Sequence, residues 1–403
     1  MTTRRGPAAA VAAALGALAL DGTSLLHDVT AANVAMLPLL VLCLVLPVLS
    51  WTASARARAQ ARAASARDVV TGLPNGEQLR RDIAALAADD RRTLAIFDLV
   101  GFKKYNDAYG FACGDALLRR LGRRFAEATA TDGVAYRLRG AQFAVLATVG
   151  DDARPFCAGR GTAALFEIGE GFMIRCALGT VVLPDQAKDA SEALKLADQE
   201  VQSERTRLRS QGVDETTIAP TGIPAARPTP SPYEVDALAG VVGRKLGMDE
   251  PGLDVLQTAA ALRDVGTMSI PDAIVYAPAA LTPEDWHFFA LHTLVGERLL
   301  RSNHGMDAVA RVVRSSHERW DGTGYPDGLA GEAIPLAARV VFVCSAFQDM
   351  TAPRAHRAAL QAHVALQELD RCAGTQFDPR IVRAFSDAFR GSEAAPTEFR
   401  GAR

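Results

Sequence analysis

Residues 317–339 read HERWDGTGYPDGLAGEAIPLAAR, and this stretch decides how the C-terminal half is read. Its D-G, G-T-G and Y-P-D-G clusters each impose a turn, because glycine reaches positive φ freely and proline fixes its own φ. Trp320 and Tyr325 supply aromatic anchors for the loop so formed. On either side the pattern is helical. Apolar residues recur at helix spacing over 235–246 and 253–264, and Thr282-Pro283-Glu284-Asp285 has the N-cap threonine and first-turn proline that open a helix. Taken alone, the β-branched run ARVVFVCSAF at 338–347 reads as a strand.

With LRDVGTMSIPD at 262–272 and GTQFDPRIVRAF at 374–385, the loop resembles the HD-GYP family of cyclic-di-GMP phosphodiesterases over residues 233–389. The resemblance implies an all-α domain, 233–390, and turns the 338–347 run into a helix. It also implies hydrolysis of a phosphodiester by water activated between clustered metal ions, held by histidines and aspartates from different helices. Of six implied ligands three remain: Asp264, His292 and His317. The family's H-D-x-G-K is here Arg263-Asp264-Val265-Gly266-Thr267, its H-H-E is Ser316-His317-Glu318, and a later aspartate is Ser345. An early histidine has no counterpart in SPYEVDALAG, 231–240. Arg263 places fixed positive charge where a cation would bind, so no two-metal centre and no resident cofactor are expected. One divalent ion, iron or manganese, on the three survivors is the open alternative. His292 has a second reading as a core histidine, sharing a helix face with Phe288, Val295 and Leu299. The resemblance makes Trp320, Gly324, Tyr325 and Pro326 a surface for contact with GGDEF domains; packing of this loop on its own domain is the alternative.

Upstream, residues 212–232 hold five prolines and few large apolar groups, so they read as an extended linker and a domain boundary. Before it, 68–211 alternates strands and helices in an α+β order. LAIFDL at 94–99 is a strand, VAYRL and FAVLA flank the four-residue turn Arg139-Gly140-Ala141-Gln142, MIRCALGTVV is another strand, and a helix runs from Ala190 to about Arg209. DVVTGLPN at 68–75 and DLVGFKKYNDAYGFACGDALL at 98–118 resemble the GGDEF family of diguanylate cyclases, which condense two GTP molecules into cyclic di-GMP. That resemblance implies a mixed sheet with helices, and metal-binding carboxylates on the first strand and in the hairpin turn. The turn here is Arg139-Gly140-Ala141-Gln142-Phe143, so Ala141 and Gln142 stand where both acids are implied, and Val100 replaces the second strand carboxylate beside Asp98. Asn106 and Asp115 match guanine-recognising positions, which implies vestigial GTP or cyclic-di-GMP binding; capping of turns around Gly110 and Gly114 is the alternative. Ala130 and Gly133 occupy the places of the family's product-inhibition motif, so cyclic di-GMP is not expected to dock there.

The N-terminal end is apolar. Residues 34–51, VAMLPLLVLCLVLPVLSW, carry no charge and end in an interfacial tryptophan, which predicts a transmembrane helix. Residues 7–20 are a second apolar segment. Arginines at 4 and 5 and again from 56 to 67 place both basic ends inside if the two spans form a hairpin over 1–51; a cleaved signal sequence or a single span are the alternatives. The Ala/Arg-rich 52–67 reads as a helical connector and 391–403 as a disordered tail. Six scattered cysteines form no metal or disulfide spacing, and a net charge of −2 gives no field for nucleic acid. The sequence therefore predicts a protein of the inner membrane with two cytoplasmic domains, both short of catalytic residues. Its expected partners are a second copy of itself and other GGDEF or signalling proteins.

Overall fold

The computed structural model describes residues 66–87, 90–148, 157–210, 233–353 and 358–391. The apolar N-terminal segments, most of the connector, the proline-rich linker and the C-terminal tail lie outside them. No described helix is long and apolar enough to cross a membrane.

Asn75 caps the first helix, α1 (Gly76–Ala84), by accepting hydrogen bonds from the backbone N–H groups of Glu77 and Gln78 at 3.0 and 3.1 Å. There follow β1 (Arg92–Val100), α2 (Phe102–Tyr109), α3 (Phe111–Thr129), β2 (Gly133–Arg139), β3 (Gln142–Ala147), a π turn (Cys157–Gly161), α4 (Thr162–Leu165), β4 (Glu167–Gly169), β5 (Phe172–Leu183) and α5 (Ala190–Ser210). The sheet order is β2-β3-β1-β5-β4. Every adjacent pair is antiparallel, which corrects the mixed sheet implied by resemblance. The reason is topological: β1 and β2 are joined by helices, but β3 lies between them, so no parallel pair forms. The hairpin turn also shortens, since Arg139 pairs with Gln142 and only Gly140 and Ala141 form the loop, with Gly140 at φ 52°.

Alternation along β1 divides the core. Ala95, Phe97 and Leu99 pack with α2 and α3 on one face, while Leu94, Ile96 and Val100 pack with α1 and α5 on the other. Asp98 belongs by period to this second face.

The second domain is helical: α6 (Val235–Lys245), α7 (Glu250–Leu262), a 3₁₀ turn (Val265–Ser269), α8 (Asp272–Val275), α9 (Pro283–Ala290), α10 (His292–Arg301), α11 (Asp307–Arg314), a 3₁₀ turn (Gly331–Ala333), α12 (Leu336–Thr351), α13 (Ala362–Arg371) and α14 (Pro379–Gly391). Residues 338–347 lie inside α12, so the strand suggested by their composition is overruled. Val340, Val341, Val343, Cys344 and Phe347 are all fully buried; a helix wrapped by neighbours is apolar on most sides and loses its period. Thr282 caps α9 as its sequence predicts, accepting from the Asp285 N–H at 3.1 Å. The two domains share a core: Met268, Ile270, Phe288 and Val295 join the cluster around Tyr105, Tyr109 and Phe172.

Candidate functional site

In the second domain, three groups far apart in sequence converge. Asp264 follows the end of α7, His292 begins α10, and His317 lies just after α11; one ligand atom from each is within 4.8 Å of the others. Gly266 permits the approach, because a Cβ there would lie 1.9 Å from the carbonyl oxygen of His292. His292 is fully buried, and its Nδ1 sits 2.8 Å from the Phe289 carbonyl oxygen. A carbonyl only accepts, so Nδ1 carries the proton and Nε2 keeps its lone pair. The Nε2 atoms of both histidines are shut from solvent and have no hydrogen-bond partner. Burial pushes the His292 pKa down, against the pull of Asp264. The His317 pKa falls to about 3, through burial first, then the neighbouring His292. Both imidazoles are therefore neutral at physiological pH. Two neutral imidazole nitrogens and a carboxylate are donors of the kind that hold a divalent metal, so the residues present fit a single such ion. His292 is thus buried as its core reading predicts, yet its free nitrogen points at two other donors.

Beside the cluster stands a cationic side chain. The Arg263 guanidinium occupies the flank of the cluster, donating to Ser345 Oγ at 3.2 Å, to the Ala260 carbonyl at 2.8 Å and to Gln348 Oε1 at 2.9 Å, and lying 3.2 Å from Asp264. Gln348 passes the network on to the Tyr233 carbonyl at 2.9 Å. Two of the positions without ligands, Arg263 and Ser345, are thus bonded to one another. Ser316 is buried and donates to the Val313 carbonyl at 2.8 Å, and Thr267 donates to the Asp264 carbonyl at 2.7 Å. Gln348 was not singled out in the sequence; its place one turn after Ser345 was the available signal.

The loop at 317–339 is anchored to its own domain. Glu318, buried, accepts from the backbone N–H groups of Asp327 at 2.7 Å and Leu329 at 3.1 Å. The N–H of Trp320 donates to the Gln376 carbonyl, and Arg339 lies over the Trp320 ring while pairing with buried Asp378 at 2.6 Å. Tyr325 stacks on His317 with centroids 5.1 Å apart, and Gly324 packs against the backbone of Glu318 and Arg319. Tyr325-Pro326 is a cis peptide. Trp320, Gly324 and Tyr325 thus each pack within their own domain.

In the first domain, register places Asp98 directly opposite Gln142, with Val100 two residues on. Asp98 is buried and pairs with Arg205 of α5 at 2.7 Å. Burial nevertheless raises its pKa, Arg205 opposing. Gln142 donates to Asp198 of the same helix at 3.2 Å. Arg205 was missed in the sequence, although it continues the four-residue stripe of Ala193, Ala197 and Val201 that faces the sheet. Asn106 and Asp115 lie on α2 and α3. Neither caps a helix: Gly110, at the N-cap of α3, brings no side-chain cap, and Asn106 Oδ1 is buried without a partner against Gly114. The capping alternative is therefore corrected, because backbone bonds from Gly110 to Asn106 and from Gly114 to Gly110 make the turn.

Two family profiles match the chain, and they overlap at residues 190–211. The family profile described as "Diguanylate cyclase, GGDEF domain" matches residues 65–211, and that described as "HD domain" matches 190–381. The chain is 38% identical over 149 residues to the cyclic di-GMP phosphodiesterase response regulator RpfG of Xanthomonas campestris, covering 36% of this chain and 39% of that protein. It is 34% identical over 175 residues to a cyclic di-GMP phosphodiesterase of Thermotoga maritima, covering 41% and 48%. The chain thus spans less than half the length of either. Among solved structures, a sensory box/GGDEF family protein of Caulobacter crescentus is similar at 28% identity, covering 35% of this chain and 99% of that one, with a TM-score of 0.32. This chain carries a GGDEF domain followed by an HD domain.

Proposed function

We infer that this protein works in cyclic-di-GMP signalling as a regulator or scaffold that acts by binding rather than by turnover, held at the inner membrane through residues 34–51 with both domains in the cytoplasm. The observation that carries the reading is Arg263. Its guanidinium is fixed by Ser345 and Gln348 beside the Asp264, His292 and His317 cluster, where a second cation would meet it at close range. The GGDEF turn supports the same reading, since Gln142 offers an amide and Asp98 is engaged by Arg205. Partners in this account are a second copy of the chain and other GGDEF or signalling proteins, with GTP or cyclic di-GMP as vestigial ligands near Asn106 and Asp115. The purified chain is expected neither to form cyclic di-GMP from GTP nor to cleave it; calorimetric titration with each nucleotide then separates a receptor from a protein scaffold. Sustained turnover of either nucleotide contradicts the reading.

A second reading is favoured by the two unpartnered Nε2 atoms. In it Asp264, His292 and His317 hold one divalent ion, whose chemistry is Lewis-acid polarisation of a phosphodiester oxygen, and the protein is a phosphodiesterase of residual activity. His317→Ala abolishes turnover if this reading holds.

A further inference from the structure

The turn carrying Asp264 and the helix beginning at His292 are both fastened to the GGDEF domain. Just after Asp264, the Ser269 carbonyl accepts a buried hydrogen bond from the Tyr105 hydroxyl at 2.7 Å, and the Met268 carbonyl accepts from the Gly171 N–H at 3.0 Å. A Cβ at Gly171 would lie 2.9 Å from that Met268 oxygen, so glycine lets the two backbones meet. Before His292, the first turn of α9 is held by ion pairs: Asp285 accepts from Arg120 at 2.8 Å and Glu284 pairs with Arg123. Arg120 also binds Glu167 at 2.9 Å, and all three of Arg120, Asp285 and Glu167 are largely buried. The far end of α9 presents the Phe289 carbonyl that fixes the His292 ring. Beyond His292, Arg298 donates to the carbonyls of Asp107 at 3.0 Å and Ala108 at 3.2 Å, near the end of α2. His317 differs: it stands on the loop that Glu318 ties to the second domain.

We propose that the GGDEF domain is a positioning part of the HD domain's cation site. Two of the three donors ride on elements docked against it and the third does not, so docking sets how Asp264 and His292 stand relative to His317. Tyr105, Arg123, Arg298 and Glu284 are positioning residues that touch no ligand. Cation affinity and docking strength are then coupled, and the coupling is reciprocal. This goes beyond the function inferred above, since it requires a cation on the cluster but no turnover.

The test is calorimetric titration of Mn²⁺ into the full chain, with melting temperature read with and without Mn²⁺. The wild-type chain is expected to bind one Mn²⁺. Tyr105→Phe, which leaves the Ser269 carbonyl without its donor, should weaken binding by about five- to tenfold. Glu284→Arg should weaken it about two- to fivefold, and Arg123→Glu with Glu284→Arg should restore it by re-forming the pair. Mn²⁺ should raise the melting temperature less in each weakened variant than in wild type. Variants that melt earlier but bind Mn²⁺ with wild-type affinity would overturn the proposal, because a merely structural role predicts that split. So would a wild-type chain that takes up no Mn²⁺, an outcome that leaves the non-catalytic reading standing. Should Glu284→Arg not fold, Arg298→Ala at an exposed site replaces it with the same two outcomes. Nucleotide turnover by wild type would refute the functional reading without touching the coupling.

Discussion

Arg263 and Ser345 lie 82 residues apart and bond to each other beside the donor cluster. Each is legible in the sequence as a position without its implied ligand, but their partnership is not, since it depends on α7 and α12 packing side by side. The same holds for Asp98 and Arg205, separated by 107 residues. Sequence names the groups that are present; only the fold shows which charge cancels which. The buried histidines carry a prediction at this scale. In metal-free protein the folded-state pKa of His317 is about 3, while the unfolded ring has an ordinary value near 6.5. Below that value the unfolded chain takes up a proton that the folded chain refuses, so stability is full above about pH 6.5 and declines as pH falls toward 3. His292 acts in the same direction. Urea midpoints of the metal-free chain should therefore drop progressively below about pH 6.5, and His317→Gln should remove part of that slope. Midpoints that stay level down to about pH 4.5 would show that the rings are not held neutral by burial.

At the scale of elements, punctuation was easier to read than period. Thr282-Pro283 announces α9 and the glycine clusters announce the loop at 317–339, because caps and turns are local chemistry. By contrast, 338–347 misleads on its own: α12 is enclosed by α6, α7 and α13, so its apolar residues show no face. The sequence places the hairpin turn at 139–142, two residues longer than the Gly140-Ala141 loop, since strand ends depend on register. The retained loop is stabilised by backbone proximity. A Cβ on Gly324 would lie 2.3 Å from the Arg319 nitrogen and 2.6 Å from Glu318 Cα, contacts with backbone that cannot swing aside. Gly324→Ala should therefore destabilise the protein by about 1–3 kcal/mol in chemical denaturation, by crowding the loop that carries His317. A change within about 0.5 kcal/mol would mean that the loop is an adaptable surface rather than part of its domain's packing.

At the scale of the molecule, the composition of 212–232 suggests a boundary and gives no hint that the flanking domains share a core. Residues from Tyr105 to Phe172 and from Met268 to Val295 meet only in three dimensions, and the charged half of the contact uses arginines and acids that read as ordinary helix surface. One functional contrast runs through both domains. In each domain a cationic or amide side chain stands against a carboxylate: Arg263 beside Asp264, Arg205 on Asp98 and Gln142 on Asp198. Metal stoichiometry is the most direct discriminator between one ion and two at this cluster. Elemental analysis of the purified full chain, after exposure to excess Fe²⁺ or Mn²⁺ and removal of unbound ion, is predicted to give no more than one ion per chain; two tightly held ions per chain would contradict it.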